Sequence, residues 1–333
     1  MALTFRLATQ ADFPSFARIA DDGFEDAPQL KLTLPKVWGG WRHSGSLIMA
    51  VVEDDELPPP KLVAYAATVF LANEFVDQAL RNPTPHLAIQ VVERELQGRS
   101  PVLRLDAIRH ANATNKLNLH IIHYTEHFQP LYPDEAKRET RNKMIKGLID
   151  THSGFGLFQI IHEFCGEDVL PYSLASGMNL RTDYADYFAR LGALPASPRR
   201  PYLVGLTREE AKRTWGKTLS LLFDSPSPQF NFSLLQQDVL WIALFERDND
   251  AWIARRLGVE PEALKKRWGT IVSSIEKVKP NFFPGRRNDD REDQPRRGPE
   301  KRRFVLEYLR QHVEELHPFQ AGPHRRRSHS AGD

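Results

Sequence analysis

The spacing of apolar and polar positions changes along this chain, and it predicts an α+β region followed by an all-helical region. Short apolar runs bounded by turn residues predict strands at 4–8, 46–54, 61–72, 117–124, 173–180 and 201–206. Apolar residues at helical spacing predict helices at 86–97, 103–113 and 134–150. Strands and helices are therefore interleaved through about residue 206, which is typical of an α+β domain.

Three consecutive helices are predicted within 232–279. Ser233 is a candidate N-cap of the first helix, Asp250 begins the second, and Gly258 ends it in the left-handed region. Pro261 begins the third helix, where its missing N–H costs nothing. The apolar residues of the third helix are spaced 4, 3 and 4 apart and share one face: Leu264, Trp268, Ile271 and Ile275. A further amphipathic helix is predicted at 304–316.

The opposite face of the third helix carries a small residue and several cations near its N-terminus, behind a short glycine-containing turn. A helix-turn-helix requires this arrangement, because its second helix enters the DNA major groove with its N-terminus first. Cations then contact phosphates or guanine edges. The residues predicted to contact double-stranded DNA are Arg255, Arg256, Glu262, Ala263, Lys265, Lys266, Arg267 and Thr270. The alternative is a plain three-helix bundle with a solvated basic face.

The same segment resembles the C-terminal helix-turn-helix of LuxR-type transcription regulators. The matching pairs are Val239–Leu240, Ile253–Ala254, Leu257–Gly258 and Leu264–Lys265. Glu260 stands where the family usually has a Ser or Thr cap, Arg267 replaces a His, and Asp248 and Asp250 make the preceding turn acidic. The resemblance implies a homodimer that reads DNA and a preceding domain that senses a small-molecule effector or oligomerises.

The opening of the chain resembles GNAT-type acyltransferases, which begin with Arg-x-Ala-x-x-x-Asp, a helix and a hairpin; here these residues are Arg6, Ala8 and Asp12. That family binds coenzyme A on a Gln/Arg-x-x-Gly-x-Gly/Ala loop that opens a helix. The nearest match contains Gly154 and Gly156, which are candidate contacts for acetyl-CoA or another acyl-CoA. The alternative is a helix stop followed by a turn, because helix-forming sequence comes just before it.

Two groups of residues have the chemistry of catalytic or metal sites. His120, His123 and His127 could suggest a metal ion, but on a strand His120 and His123 point to opposite faces, so we expect no metal site. His162 and Glu163 beside Cys165 have the residue types of a nucleophile and a base. No third orienting group is visible in the sequence, so we expect core and surface roles and no catalytic residue.

Composition restricts the class of protein. The 333 residues suggest two domains, and a net charge of +2 excludes a generic polyanion binder. The single cysteine excludes an internal disulfide framework and favours a reducing compartment. Since the sequence has no run of 18 apolar residues and no signal-like N-terminus, we expect a cytoplasmic protein with no membrane partner.

The expected organisation is a GNAT-like α+β domain at 1–206, a linker with a short helix at 207–230, a helix-turn-helix domain with an extra helix at 231–320, and a disordered basic tail at 321–333. The expected function is DNA-binding transcription regulation without a cofactor, and whether the N-terminal domain is also an enzyme stays open. Two alternatives remain open: an acyl-CoA-dependent acyltransferase with a fused helical domain, and a protein-interaction adaptor that does not bind DNA.

Overall fold

The computed structural model describes residues 2–20, 24, 27–56, 60–128, 132–192, 200–214, 216–224, 228–246, 250–283 and 298–316. The predicted tail at 321–333 and the acidic residue Asp248 lie outside these ranges. The chain forms two compact units. The first comprises Met1–Pro226 with Gln311–Glu314, and the second comprises Ser227–Arg310 with Glu315–Asp333.

The first unit is built on one seven-stranded mixed sheet. Its strands are β1 Leu3–Leu7, β2 Leu47–Asp54, β3 Lys61–Leu71, β4 Leu117–Glu126, β5 Leu157–Cys165, β6 Asn179–Thr182 and β7 Pro201–Thr207. Their order across the sheet is β1-β2-β3-β4-β5-β7-β6. Within this sheet, only the central pair β4 and β5 runs parallel; all other neighbours are antiparallel. A parallel pair requires a crossover connection. The long helix Asp134–His152 lies in that connection.

Helices cover both faces of this sheet. The helices of the first unit are α1 Phe13–Ile19, α2 Pro28–Lys31, α3 Leu34–His43, α4 Asn73–Arg81, α5 Leu87–Leu96, α6 Leu105–Ala113, α7 Asp134–His152, α8 Leu170–Ala175, α9 Ala185–Arg190 and α10 Arg208–Arg213. The first face, which bears Tyr65, Ala67 and Val69, packs against apolar residues of α1, α3 and α5. The second face, which bears Val52 and Ala64, packs against Met144 of α7.

A buried amide chain fixes the register of β4 and β5 near their N-terminal ends. The side-chain amide of Gln159 donates to Asn118 Oδ1 at 2.9 Å, and the Asn118 amide donates to Asn73 Oδ1 at 2.6 Å. The pairing of the two strands then ends at Ile121 and His162. Since buried amides are costly to leave unsatisfied, this network holds the strands together below the point at which they part.

The second unit is helical, with α11 Leu234–Glu246, α12 Asp250–Leu257, α13 Pro261–Val278 and α14 Gly298–Leu309. Ser233 forms a reciprocal cap with Gln236: the Ser233 N–H donates to Gln236 Oε1 at 2.8 Å, and the Gln236 N–H donates to Ser233 Oγ at 3.4 Å. Gly258 has a φ of 62°, as predicted for a helix stop. The predicted apolar face of α13 is buried.

The structure contains elements that the sequence analysis does not predict, among them α3 and α4, and it differs from other predicted elements. The central strand β5 was not predicted. The segment 173–180, predicted as a strand, contains the end of α8 and only the start of β6. The predicted helix at 304–316 instead begins at Gly298 and ends at Leu309, with a 3₁₀ turn at Val313–Leu316. In the predicted linker, α10 and a 3₁₀ turn at Thr218–Phe223 belong to the first compact unit.

Candidate functional site

β4 and β5 stop pairing in the middle of the sheet. Residue Glu163 is the first residue of β5 beyond the last pair, which joins Ile121 to His162. Glu163 lies opposite Leu203 of β7, a residue of the first-face core, so its side chain lies on that face. It is half-buried. The parting therefore leaves a carboxylate at the middle of the sheet, on the side covered by α1, α3 and α5.

Two donors from distant segments hold this carboxylate. The backbone N–H of Leu87, the first residue of α5, donates to Glu163 Oε1 at 2.9 Å. The Tyr184 hydroxyl donates to Glu163 Oε2. Glu163 thus occupies the N-terminus of α5, where the helix dipole favours a negative charge. Both carboxylate oxygens are fixed, so the group has one orientation relative to the parting strands.

Two residues at the contacts of Glu163 have a left-handed backbone conformation that non-glycine residues rarely take. His86, which precedes Leu87, has a φ of 67° and a ψ of 50°. Tyr184 has a φ of 54° and a ψ of 14°. Such conformations cost on the order of 1–3 kcal/mol each and concentrate at functional sites. Tyr184 and the residue before Leu87 are therefore both strained, and Tyr184 and Leu87 are the residues that hold the Glu163 carboxylate.

The phenol of Tyr184 is a proton donor at every ordinary pH. Burial, the adjacent Glu163 and, to a smaller extent, Cys165 raise the pKa of Tyr184 far above its usual value of 10. A raised phenol pKa keeps the hydroxyl protonated. The pair therefore consists of a carboxylate acceptor and a neutral hydroxyl that can donate.

Buried imidazoles lie below the parting point. The predicted placement of His120 and His123 on opposite faces is wrong. His120 pairs with Val69 and His123 with Ala67, which share the first face, because the register slips at a β-bulge between them. Burial, followed by the nearby His162 and His123, lowers the pKa of His120 well below 6.5. His120 is therefore neutral, and within the described residues its buried Nδ1 has no hydrogen-bond partner.

The ring of His123 packs among buried aromatic side chains of the first face. Its centroid lies 5.3 Å from that of Trp38, 5.4 Å from that of Phe24 and 6.5 Å from that of Tyr65. In the described part of the chain no group of three His, Cys, Asp or Glu residues could hold a metal ion. His120 and His123 thus contribute to an imidazole and aromatic wall beside the parting of the strands.

Gly154 and Gly156 are not in a phosphate-binding geometry. They follow α7 and precede β5, whereas a phosphate loop follows a strand and opens a helix. A Cβ on Gly154 would lie 2.3 Å from the Glu314 backbone nitrogen, and one on Gly156 would lie 2.4 Å from the Asn112 carbonyl oxygen. The chain itself occupies the space beside both glycines. The alternative stated above, a helix stop and a turn, describes them.

The residues predicted to contact DNA lie at the end of α12 and along the first turns of α13. Seven of these side chains are exposed and that of Arg267 is half-buried. Lys265 Nζ lies 3.8 Å from Glu262 Oε2. Exposure of this kind is also found on any solvated helix face. The exposed face therefore gives no separate support for DNA contact.

The sequence matches no family profile and no curated protein. Among solved structures, it is similar to a mutant form of the spermidine/spermine N-acetyltransferase SpeG from Vibrio cholerae, with 10% identity, a TM-score of 0.33, and coverage of 64% of this chain and 99% of that one. It is also similar to FeeM, an N-acyl amino acid synthase from uncultured soil microbes, with 11% identity, a TM-score of 0.33, and coverage of 66% and 98%. A mosquito arylalkylamine N-acetyltransferase like 5b matches with 13% identity, a TM-score of 0.32, and coverage of 62% and 100%.

These findings correct the main functional expectation. The solved structures that the chain is similar to are named as N-acetyltransferases and an N-acyl amino acid synthase, which contradicts the expectation of a DNA-binding transcription regulator. The LuxR-type resemblance of the C-terminal segment gains no support. What the structure itself shows of the first unit is a mixed sheet with helices on both faces. Among the described helices, none has the length and apolar character needed to cross a membrane.

Proposed function

We propose that the first unit transfers an acyl group from a thioester to an amine at the parting of β4 and β5. The observation that carries this proposal is the position of Glu163, the first β5 residue beyond the last β4–β5 pair. A mixed sheet that opens between two central parallel strands offers a slot for an extended acyl-carrying arm. A fixed carboxylate beside that slot offers a base for the attacking nitrogen.

Glu163 is the proposed general base. The amine nitrogen attacks the thioester carbonyl carbon, a C–N bond forms, and the C–S bond breaks. The nitrogen loses one proton, and the carboxylate of Glu163 accepts it. A positioned acid–base group of this kind contributes about 10²- to 10⁴-fold to the rate. The Leu87 N–H keeps the carboxylate oriented during the transfer.

Tyr184 is the proposed route by which the proton returns. The departing thiolate must take up one proton for the reaction to balance. The Tyr184 hydroxyl already donates to Glu163. It can therefore pass its own proton to the thiolate and receive the proton held by Glu163. Besides burial, the charge of Glu163 helps to raise the pKa of Tyr184, so protonation of Glu163 makes the phenol a stronger acid when the thiolate forms.

The experiment is a direct test of turnover by the full chain. Acetyl thioesters are supplied with a panel of primary amines: a polyamine, an arylalkylamine and an amino acid. Product is detected as the mass of the N-acetyl amine, and thiol release is followed separately with a blank for the single cysteine, Cys165. We expect N-acetyl product that depends on Glu163. Failure of all three amine classes with every thioester would overturn the proposal.

A further inference from the structure

We propose that this chain recognises its acyl donor through the thioester and the pantetheine-like arm, and not through the pyrophosphate of coenzyme A. This inference deepens the proposed acyl transfer and depends on it. The GNAT-type resemblance implies a pyrophosphate loop between a strand and a helix. In this fold that position is the segment between β4 and α7, residues 127–133.

The sequence of that segment does not suit a phosphate cradle. It runs His-Phe-Gln-Pro-Leu-Tyr-Pro and contains no glycine. A cradle depends on successive backbone N–H groups and on glycines that let the backbone approach the phosphate closely. Pro130 and Pro133 have no N–H to donate. Two of the seven positions therefore cannot contribute a hydrogen bond to an anion.

The helix N-terminus that follows already carries negative charge. Asp134 and Glu135 form the first turn of α7, and their side chains are 96% and 86% exposed. Carboxylates at this position satisfy the helix dipole that would otherwise attract a phosphate. They also repel a pyrophosphate brought to the same turn. The N-terminus of α7 thus lacks the charge that a bound nucleotide requires.

The cations of α7 are already paired within the chain. Each of the five lies within ion-pair distance of a carboxylate: Lys137 with Asp134, Arg138 with Glu135, Arg141 with Glu126, Lys143 with Glu139, and Lys146 with Asp150. The Arg141 pair is bidentate at 2.7 Å for both contacts. Arg141 also lies over the ring of Tyr172, 5.1 Å from its centroid. The arginine nearest the end of β4 is therefore fully engaged within the chain.

The sequence offers no second loop of the required type. Its single Gly-x-Gly is Gly154-Phe-Gly156, which the chain itself fills. The Gly156 N–H, which would have to face a phosphate, donates to Asn112 Oδ1 at 2.7 Å. In the part of the chain that the structure describes, no loop has the geometry of a nucleotide cradle, whereas the end of the β4–β5 pairing remains for the thioester. The chemistry of the donor is therefore an acyl thioester on a pantetheine-like arm, whatever carries that arm.

The first test is binding without turnover. Adenosine 3′,5′-bisphosphate, which carries the adenosine, the 3′-phosphate and one of the two pyrophosphate phosphates of coenzyme A, is titrated into the full chain and followed by calorimetry and thermal shift. S-acetyl-pantetheine is titrated in parallel. We expect acetyl-pantetheine to bind and the bisphosphate to give no signal up to about 5 mM, which corresponds to a negligible affinity. Saturable binding of the bisphosphate at micromolar concentration would overturn the inference.

The second test compares donors in turnover. Acetyl-pantetheine and acetyl-CoA are supplied at matched concentrations with the best amine from the panel. We expect kcat/KM values within about three-fold of each other, because the nucleotide adds no net binding. A preference for acetyl-CoA of about thirty-fold or more would refute the inference while leaving the proposed acyl transfer intact. Absence of product with both donors would instead count against acyl transfer, and the bisphosphate titration would still decide the present point.

A charge variant tests the physical cause. In the double variant Asp134→Asn with Glu135→Gln, the first turn of α7 loses two carboxylates and releases Lys137 and Arg138. We expect KM for acetyl-CoA to fall about five-fold and KM for acetyl-pantetheine to stay the same. The matched control is Asp106→Asn in the first turn of α6, whose side chain is 78% exposed. An unchanged KM for acetyl-CoA in the double variant, or an equal fall in the control, would refute the proposed repulsion.

Discussion

Replacement of Glu163 by Gln separates its proposed chemistry from its structural role. Both oxygens of the carboxylate accept hydrogen bonds, from the Leu87 N–H and from the Tyr184 hydroxyl. An amide of the same shape keeps an oxygen for the Leu87 N–H and can donate from its nitrogen to the Tyr184 oxygen. The variant Glu163→Gln therefore keeps two contacts and loses the proton-accepting charge. The variant Glu163→Ala loses both contacts and leaves the two donors without a partner.

The two variants differ in their expected magnitudes. Hydrogen bonds to a charged group contribute about 1.5–3 kcal/mol and neutral ones about 0.5–1.5 kcal/mol, so Glu163→Gln should cost about 2 kcal/mol. For a unit of this size the midpoint of thermal unfolding then falls by about 4–8 °C. Glu163→Ala should cost about 4 kcal/mol, because each unsatisfied buried donor costs about 1–3 kcal/mol. The loss of a general base should lower kcat about 10²-fold or more in both variants.

The assay is kcat at 25 °C together with the unfolding midpoint of each variant. The matched control is Glu167→Gln, since Glu167 also accepts a tyrosine hydroxyl, that of Tyr202 at 3.0 Å, and is about half exposed. This control should keep its kcat. Retention of more than about one tenth of kcat by folded Glu163→Gln would refute the assignment of Glu163 as the base. Loss of activity only in Glu163→Ala, in proportion to its instability, would leave a structural role alone.

Further predictions concern one phenol, two buried histidines and two helix glycines. Tyr184→Phe should lower kcat about ten-fold or more. The alkaline side of the pH–rate profile should be the same in the variant, because the raised pKa of Tyr184 keeps the phenol protonated there. Burial lowers the pKa of His152 and His162 to about 4, so the unfolded chain binds protons that the folded chain does not. These two histidines should therefore lower the free energy of unfolding in urea by about 3 kcal/mol from pH 6.5 to pH 5, and the buried His120 should add to that fall. A pH-independent value would contradict this. Gly147→Ala should lower the free energy of unfolding by about 2 kcal/mol, because a Cβ there would lie 2.0 Å from Cε2 of the Phe5 ring. Gly40→Ala should raise the free energy of unfolding by up to about 1 kcal/mol, because a Cβ there meets no atom within 4 Å.

The sequence pattern predicts most of the first unit because its outer strands alternate or stand as short β-branched runs. It misses β5 because a strand buried on both faces has no alternation, and a short apolar run cannot be told from a helix segment by its period alone. Leu157, Ile160 and Ile161 are fully buried in that strand. The strand that completes the parallel pair was thus the least visible element. Without it, neither the parting of the sheet nor the position of Glu163 could be predicted.

The partners of Glu163 were beyond sequence reasoning for a different reason. Leu87 is 76 residues away along the chain and Tyr184 is 21 residues away. The sequence places Glu163 beside His162 and Cys165, but its hydrogen-bond partners in the fold are Leu87 and Tyr184. The prediction that His120 and His123 point to opposite faces is wrong because a β-bulge shifts the two-residue period by one position. No residue type in the sequence indicates that bulge.

The backbone around Glu163 favours a functional role over simple helix capping. An ordinary N-cap residue lies in the β-region and accepts the first N–H groups with its own side chain, as Thr207 does for Glu210 at the start of α10. The start of α5 has instead a left-handed His86 with no side-chain cap bond, and its first N–H is met by a carboxylate from the centre of the sheet. Tyr184, left-handed as well, supplies the second contact to the same carboxylate. Two strained residues and a distant acid thus meet where β4 and β5 stop pairing, which fits a proton acceptor held in one orientation.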